Sequence, residues 1–118
     1  MKVERADFVA VPARDGKALR DFYVETLGLR PDATAQYEVW AGDVCIGIWE
    51  PERVGMQFAP SKNGHIALRV PDVAEARAEL ESKGVTFVAE TIDTGVCHMA
   101  LFEDPEGNDL MLHRRYAP

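Results

Sequence analysis

Three histidines carry most of the chemistry this chain can offer: His65, His98 and His113. Imidazole is the side chain that changes charge near working pH, so each is a candidate acid, base or hydrogen-bond donor. His65 opens the run His65-Ile66-Ala67-Leu68-Arg69-Val70. With Ile66, Leu68 and Val70 in the core, alternation leaves His65, Ala67 and Arg69 on the opposite face. His65 then reads either as a ligand-facing acid/base or as a histidine kept for local packing. His113 lies two residues beyond Met111, so the two share a face, and His113 is either a second imidazole in a groove or a rim residue. Arg69 has the parity to attract an anionic group, but at a strand end it reads as a solvated surface arginine. Phe8 and Trp49 offer apolar walls of the kind that small-molecule pockets use, unless they simply pack in the core. Gly47, in mid-strand with the parity of Trp49, removes a side chain where a ligand or another backbone can approach, or else marks a bulge. Met111 suits an adaptable pocket wall or plain core filler.

The two cysteines, Cys45 and Cys97, each sit in an apolar strand-like run and read as buried, reduced thiols. Cys97 has His98 beside it, but neighbours in a strand point to opposite faces, so the pair makes no nucleophilic dyad.

The elements that must position these residues appear twice in the same order. Phe8-Val9-Ala10-Val11 is a short β-rich run ended by Pro12, with Val9 and Val11 expected under a helix and Phe8, Ala10 and Pro12 on the other face. Asp15 supplies an N-cap oxygen, and Ala18, Leu19, Phe22, Tyr23 and Thr26 form one apolar stripe. Gly28 lets the chain leave the helix. Strand-like runs follow at Tyr37 to Ala41 and Val44 to Trp49, joined by the turn Gly42-Asp43. In the second half the strand from His65 stops at Pro71, and Asp72 with Glu75 opens a helix in capping-box fashion. Val73, Ala76 and Leu80 make its stripe, and Gly84 ends it. A strand is expected at Val85 to Ala89, then a hairpin of Val96 to Phe102 and Asp109 to His113 about the turn Asp104-Pro105-Glu106-Gly107-Asn108. The offsets from Asp15 to Asp72 and from Gly28 to Gly84 agree within one residue. This is an internal repeat, linked by the Pro- and Gly-containing segment Pro51 to Asn63.

Bulk properties bound the rest. A chain of 118 residues, 47% hydrophobic, supports one domain and not two ordinary ones. No apolar run approaches the length of a membrane span, and the N-terminus carries no signal-like stretch, so no membrane association and a cytoplasmic location are expected. A net charge of −7 runs against phosphate neutralisation, so nucleic acid is not an expected partner. The acidic and basic residues of the second helix, Glu75, Glu79 and Glu81 with Arg77 and Lys83, read as an ordinary solvated face.

The chain resembles the vicinal oxygen chelate superfamily, which includes glyoxalase I, extradiol dioxygenases, methylmalonyl-CoA epimerase and the bleomycin-resistance proteins. The motifs that carry the resemblance are Asp15…Phe22-Tyr23…Leu27-Gly28-Leu29, then Gly64-His65-Ile66-Ala67-Leu68, then Phe102-Glu103-Asp104-Pro105-Glu106-Gly107-Asn108. The resemblance implies an α+β fold: two βαβββ modules, about 1–52 and about 63–118 of a single domain 1–118, forming a curved mixed-sheet cup with helices on the outer face. It also implies, commonly, a homodimer. Enzymes of the family hold a divalent metal by four inward side chains, one from each of four strands. Carried over by motif, those positions are Phe8, Gly47, His65 and Met111. Phe and Gly have no donor atom, and a thioether suits Cu(I) rather than Mg, Mn, Ni or Zn. A metal held by His65 and His113, with Glu50 or His98 in support, requires a geometry the family does not use, and Glu50 has the wrong parity relative to Gly47.

The expectation is a metal-free, cofactor-free member that binds a small organic molecule in a cup lined by Phe8, Gly47, Trp49, His65, Met111 and His113. The alternative is an enzyme of lyase, isomerase or dioxygenase type with His65 as acid/base and a weakly bound metal or none. A third reading is a dimeric interaction module whose groove is filled by side chains.

Overall fold

The computed structural model describes residues 1–118, which divide into two compact units, Met1–Pro60 and Ser61–Pro118. Each unit is one βαβββ module, as the repeat predicts.

In the first unit, β1 (Val9–Pro12) pairs in parallel with β4 (Val44–Trp49). β4 pairs antiparallel with β3 (Glu38–Ala41), and β3 with the short β2 (Arg30–Pro31), so the sheet order is β1-β4-β3-β2. The helix α1 (Gly16–Asp21) starts where Asp15 accepts a hydrogen bond from the amide of Ala18, at 3.1 Å. It runs directly into a π-helical turn over Phe22–Thr26, closed by the amide of Leu27 on the carbonyl of Phe22. The expected apolar stripe is therefore narrower than the α-helical period implies: Leu19 and Tyr23 are buried, whereas Ala18 is exposed and Phe22 and Thr26 are half-buried. Leu19 and Tyr23 share a core with Val11, Val39, Ile46 and Ile48. Val9 has the parity of Val11 but is 42% exposed. Gly28 takes the left-handed conformation, φ 75°, on which the exit from the helix depends.

In the second unit, β5 (Ile66–Arg69) pairs in parallel with β8 (Asp109–Arg115), and β8 antiparallel with β7 (Cys97–Glu103). β6 (Ile92–Asp93) closes the order β5-β8-β7-β6. The helix α2 (Val73–Ser82) begins with Asp72 accepting from the amide of Glu75, at 2.9 Å. Val73 and Leu80 are buried and Ala76 is half-buried. The core is completed by Phe87, Ala100, Phe102, Leu110 and Leu112, while Ile66, Leu68 and Val70, expected in the core, are only half-buried.

The strand expected at Val85 to Ala89 does not form. Phe87 makes a single bridge to Phe102, their rings 5.2 Å apart, and regular pairing begins only at Ile92. Phe87 alone anchors the segment by side-chain burial, while Val88 and Ala89 are exposed. β8 runs two residues beyond His113, so Arg114 and Arg115 belong to the sheet.

The hairpin turn between β7 and β8 is a buried polar knot. Asp104 Oδ1 accepts from the amides of Glu106 and Asn108, and Asn108 donates its side-chain amide to Asp104 Oδ2 at 2.8 Å. Asn108 Oδ1 accepts from the amide of Ser61 at 2.8 Å, which ties the start of the unit to its last hairpin. Both side chains are almost fully buried, a placement that costs little only when every polar atom has a partner.

Candidate functional site

Each sheet has one face covered by its helix. In the first unit that face carries Ile46, Ile48 and Glu50, and Glu50 identifies it directly: its carboxylate accepts from the amide of Gly16, the first residue of α1, at 2.7 Å, and from Arg53. These partners, the amide first, hold the Glu50 carboxyl below the usual range. Glu50 therefore anchors a helix start and is not free to support a metal.

The opposite face holds the first set of expected site residues. Ala10 lies beside Gly47, and Pro12 beside Trp49. Glu38 flanks Gly47 from the other side, and Trp40 pairs with Cys45. Phe8, just ahead of β1, turns its ring over Gly47: a methyl group at Gly47 would lie 2.9 Å from Phe8 Cδ2. The missing side chain at Gly47 thus makes room for Phe8 rather than for a bulge. Trp40 lies on this face as well. Its indole donates to Asp32 at 2.9 Å, and the Arg30 guanidinium lies 5.5 Å over its ring. Cys45 donates to Glu38 at 3.4 Å, and burial first, with Glu38 second, pushes its thiol up to about 11. Such a thiol is inert as a nucleophile at neutral pH.

In the second unit α2 covers the face of Phe102, where Arg77 of the helix lies over the ring of Phe87, which in turn packs on Phe102. The open face carries His65, Met111 and His113 together, as parity predicts. Met111 pairs with Ala67 and Leu101, and His113 with Arg69 and Met99. At one end of this face His65 Nε2 sits 3.7 Å from Asp109 Oδ2. Asp109 is held by the amide of Asn63 at 2.8 Å and by Lys62 at 3.0 Å, and the amide chiefly draws its carboxyl below the usual range. Lys62 also bridges to Glu103 at 2.7 Å. Asp109 and Lys62 were not evident from sequence. The signal was the residue after Asn108, which resumes the strand on the face of Met111.

His98 takes the other side of β7. Its ring stacks on Tyr116 with centroids 4.7 Å apart, and its Nε2 lies 3.4 Å from Asp93. Cys97, its neighbour, turns to Thr94, Sγ to Oγ1 3.2 Å. The two do not form a dyad, and His98 does not join His65 and His113.

The donor sets do not fit a divalent cation. Phe8 and Gly47 present a phenyl ring stacked on bare backbone, Met111 presents a thioether, and His65 is the one imidazole among the four positions; no three His, Cys, Asp or Glu side chains gather into a ligand group.

A family model described as the Glyoxalase/Bleomycin resistance protein/Dioxygenase superfamily matches residues 5–112. No curated protein sequence matches significantly. Among solved structures, the antibiotic-binding protein TnmS3 from Streptomyces sp. CB03234 is 26% identical with a TM-score of 0.75, covering 98% of this chain and 99% of its own. A putative glyoxalase family protein from Bacillus anthracis is 22% identical, TM-score 0.78, with 98% of both chains covered. A lactoylglutathione lyase from Agrobacterium tumefaciens is 16% identical, TM-score 0.73, covering 95% of this chain and 94% of its own.

Proposed function

Because this chain belongs to the Glyoxalase/Bleomycin resistance protein/Dioxygenase superfamily, we propose that it binds a small, partly apolar organic molecule without a resident divalent metal. The observation that carries this reading is the phenyl ring of Phe8 lying over Gly47. Two positions expected to supply metal ligands are given over to an aromatic surface, which a flat or apolar ligand can use and which has no donor atom for a divalent metal ion. Trp49 extends that surface along β4. The second unit, taken by itself, has an open face on which Met111 offers a pliable apolar contact and His65 and His113 offer hydrogen-bonding groups. The likeness to a protein described as antibiotic-binding supports the same class of ligand. The working form is a homodimer in the cytoplasm.

The test is a fluorescence titration of the two tryptophans with a panel of aromatic natural products, paired with elemental analysis of untagged protein. Saturable quenching that Trp49→Ala removes, with no stoichiometric metal and a melting temperature indifferent to chelator, is the expected result. Unaltered binding in a Phe8, Trp49 and His65 triple alanine variant would end this reading. Sedimentation equilibrium checks the dimer.

The pairing of His65 with Asp109 favours one second reading, an enzyme in which His65 moves a proton. A carboxylate beside an imidazole orients the ring for proton transfer, the geometry that general acid/base catalysis uses. Turnover that falls by about a hundredfold or more in His65→Ala would establish it.

A further inference from the structure

At the end of the second sheet remote from Asp109, the charge on the open face reverses. Arg69 of β5 and His113 of β8 are register partners, and Arg115 follows His113 on the same side of β8. An open depression of about 640 Å³ is lined by these three, by Arg114 and by residues 116–118. The arginines are exposed and His113 is half-buried.

None of Arg69, Arg114 and Arg115 has a carboxylate within ion-pair distance. The acids of this unit that approach the face are committed elsewhere. Asp93 accepts from Tyr116 Oη at 2.7 Å and lies against His98. Glu103 and Asp109 share Lys62 at the far end. In a chain of net charge −7, the guanidiniums of Arg69 and Arg115 on one face, neither with a carboxylate partner, are an excess that nothing in the fold requires.

The backbone beneath is well tied. The amide of Val70 bonds the carbonyl of His113 at 3.1 Å, and the amides of Tyr116 and Ala117 both bond the carbonyl of Val96. The cations are therefore presented from a paired sheet and not from a loose terminus.

We propose that this depression is an oxyanion subsite, in which Arg69, His113 and Arg115 take the phosphate or carboxylate of a small organic ligand. Guanidinium groups match both anions in two-pronged geometry, and an imidazole N–H adds a directional donor. The inference deepens the small-molecule reading above and rests on it for the size of the ligand. It narrows the ligand to one that carries an anionic group.

The probes are inorganic phosphate and acetate, titrated into the ¹⁵N-labelled full chain at low salt. Saturable shifts at the amides of Arg69, His113 and Arg115, with millimolar affinity that weakens as NaCl is added, are expected from at least one probe. The stronger of the two identifies the anion. Arg69→Ala and Arg115→Ala should each weaken binding by about tenfold, a charge-assisted bond's worth. Both positions are exposed, so the folded spectrum should persist. Absence of saturable shifts with both probes, or equal affinity in the double alanine variant, overturns the subsite. Trp49→Ala separates the two ideas: phosphate or acetate binding that survives in it upholds the subsite whatever becomes of the aromatic surface.

Discussion

Replacing Gly47 by alanine tests the central contact most directly. The new methyl would stand 2.9 Å from Phe8 Cδ2 and 3.3 Å from Cε2, too close to be accommodated in place. The clash is with a side chain that is 57% exposed, so the ring has solvent to swing into. Full burial of a phenylalanine side chain stabilises by about 2–3 kcal/mol. With somewhat less than half of that realised here, expelling the ring costs about 1 kcal/mol. Gly47 has no positive φ, so alanine also narrows the unfolded ensemble and returns about 0.4–1 kcal/mol. Gly47→Ala alone should therefore change stability by less than about 1 kcal/mol while removing the aromatic surface. The informative measurement is a double-mutant cycle with Phe8→Ala in urea. Without the ring, Gly47→Ala should stabilise, and the coupling between the two sites should be about 1 kcal/mol. A coupling indistinguishable from zero would show that the ring does not rest on Gly47. A loss of about 3 kcal/mol or more for Gly47→Ala alone would show the ring locked in place, contrary to its exposure.

Three further outcomes follow from the same contacts. Asp32 accepts from the amides of Ala35 and Thr34 and from the Trp40 indole, and these bonds, Ala35 first, bring its carboxyl down from 3.8 to about 2. A depressed carboxyl stabilises the fold above its unfolded value and stops doing so as pH falls through the folded one; acid titration of Asp32→Asn should accordingly show a shallower loss of stability between about pH 4 and pH 2, and an unchanged slope would refute the assignment. The two thiols should separate in a disulfide-exchange assay at pH 8, Cys97 reacting and Cys45, with its thiol near 11, staying silent until denaturant is added; equal rates in the native protein would contradict the burial of Cys45. Asn108→Ala strips Ser61 of its acceptor and Asp104 of a donor in a buried setting, and should lower stability by about 2–4 kcal/mol in calorimetry or urea; a cost near zero would mean that water replaces both bonds.

The helix starts were legible because capping is local: Asp15 and Asp72 each serve an amide three residues on, and a reader of the chain sees both partners at once. The alternation that put Gly47 with Trp49, and Met111 with His113, was legible for the same reason, since parity within a strand needs no knowledge of its neighbour. The segment Val85 to Ala89 shows where that logic stops. Its apolar pattern is that of a strand, but a strand also needs a free edge in register, and only Phe87 finds one.

What composition, caps and periodicity determined, then, is the repeated βαβββ plan and the residues on each open face. Tertiary pairing decided the rest. That Phe8 fills the space above Gly47 depends on β1 lying parallel beside β4, with Ala10 opposite Gly47. That Asp109 sits against His65, and Arg69 against His113, depends on β5 meeting β8 across more than forty residues of chain. Such contacts join positions whose separation in sequence carries no trace of their adjacency, because the register between two strands is set by the whole core they share and not by either strand alone.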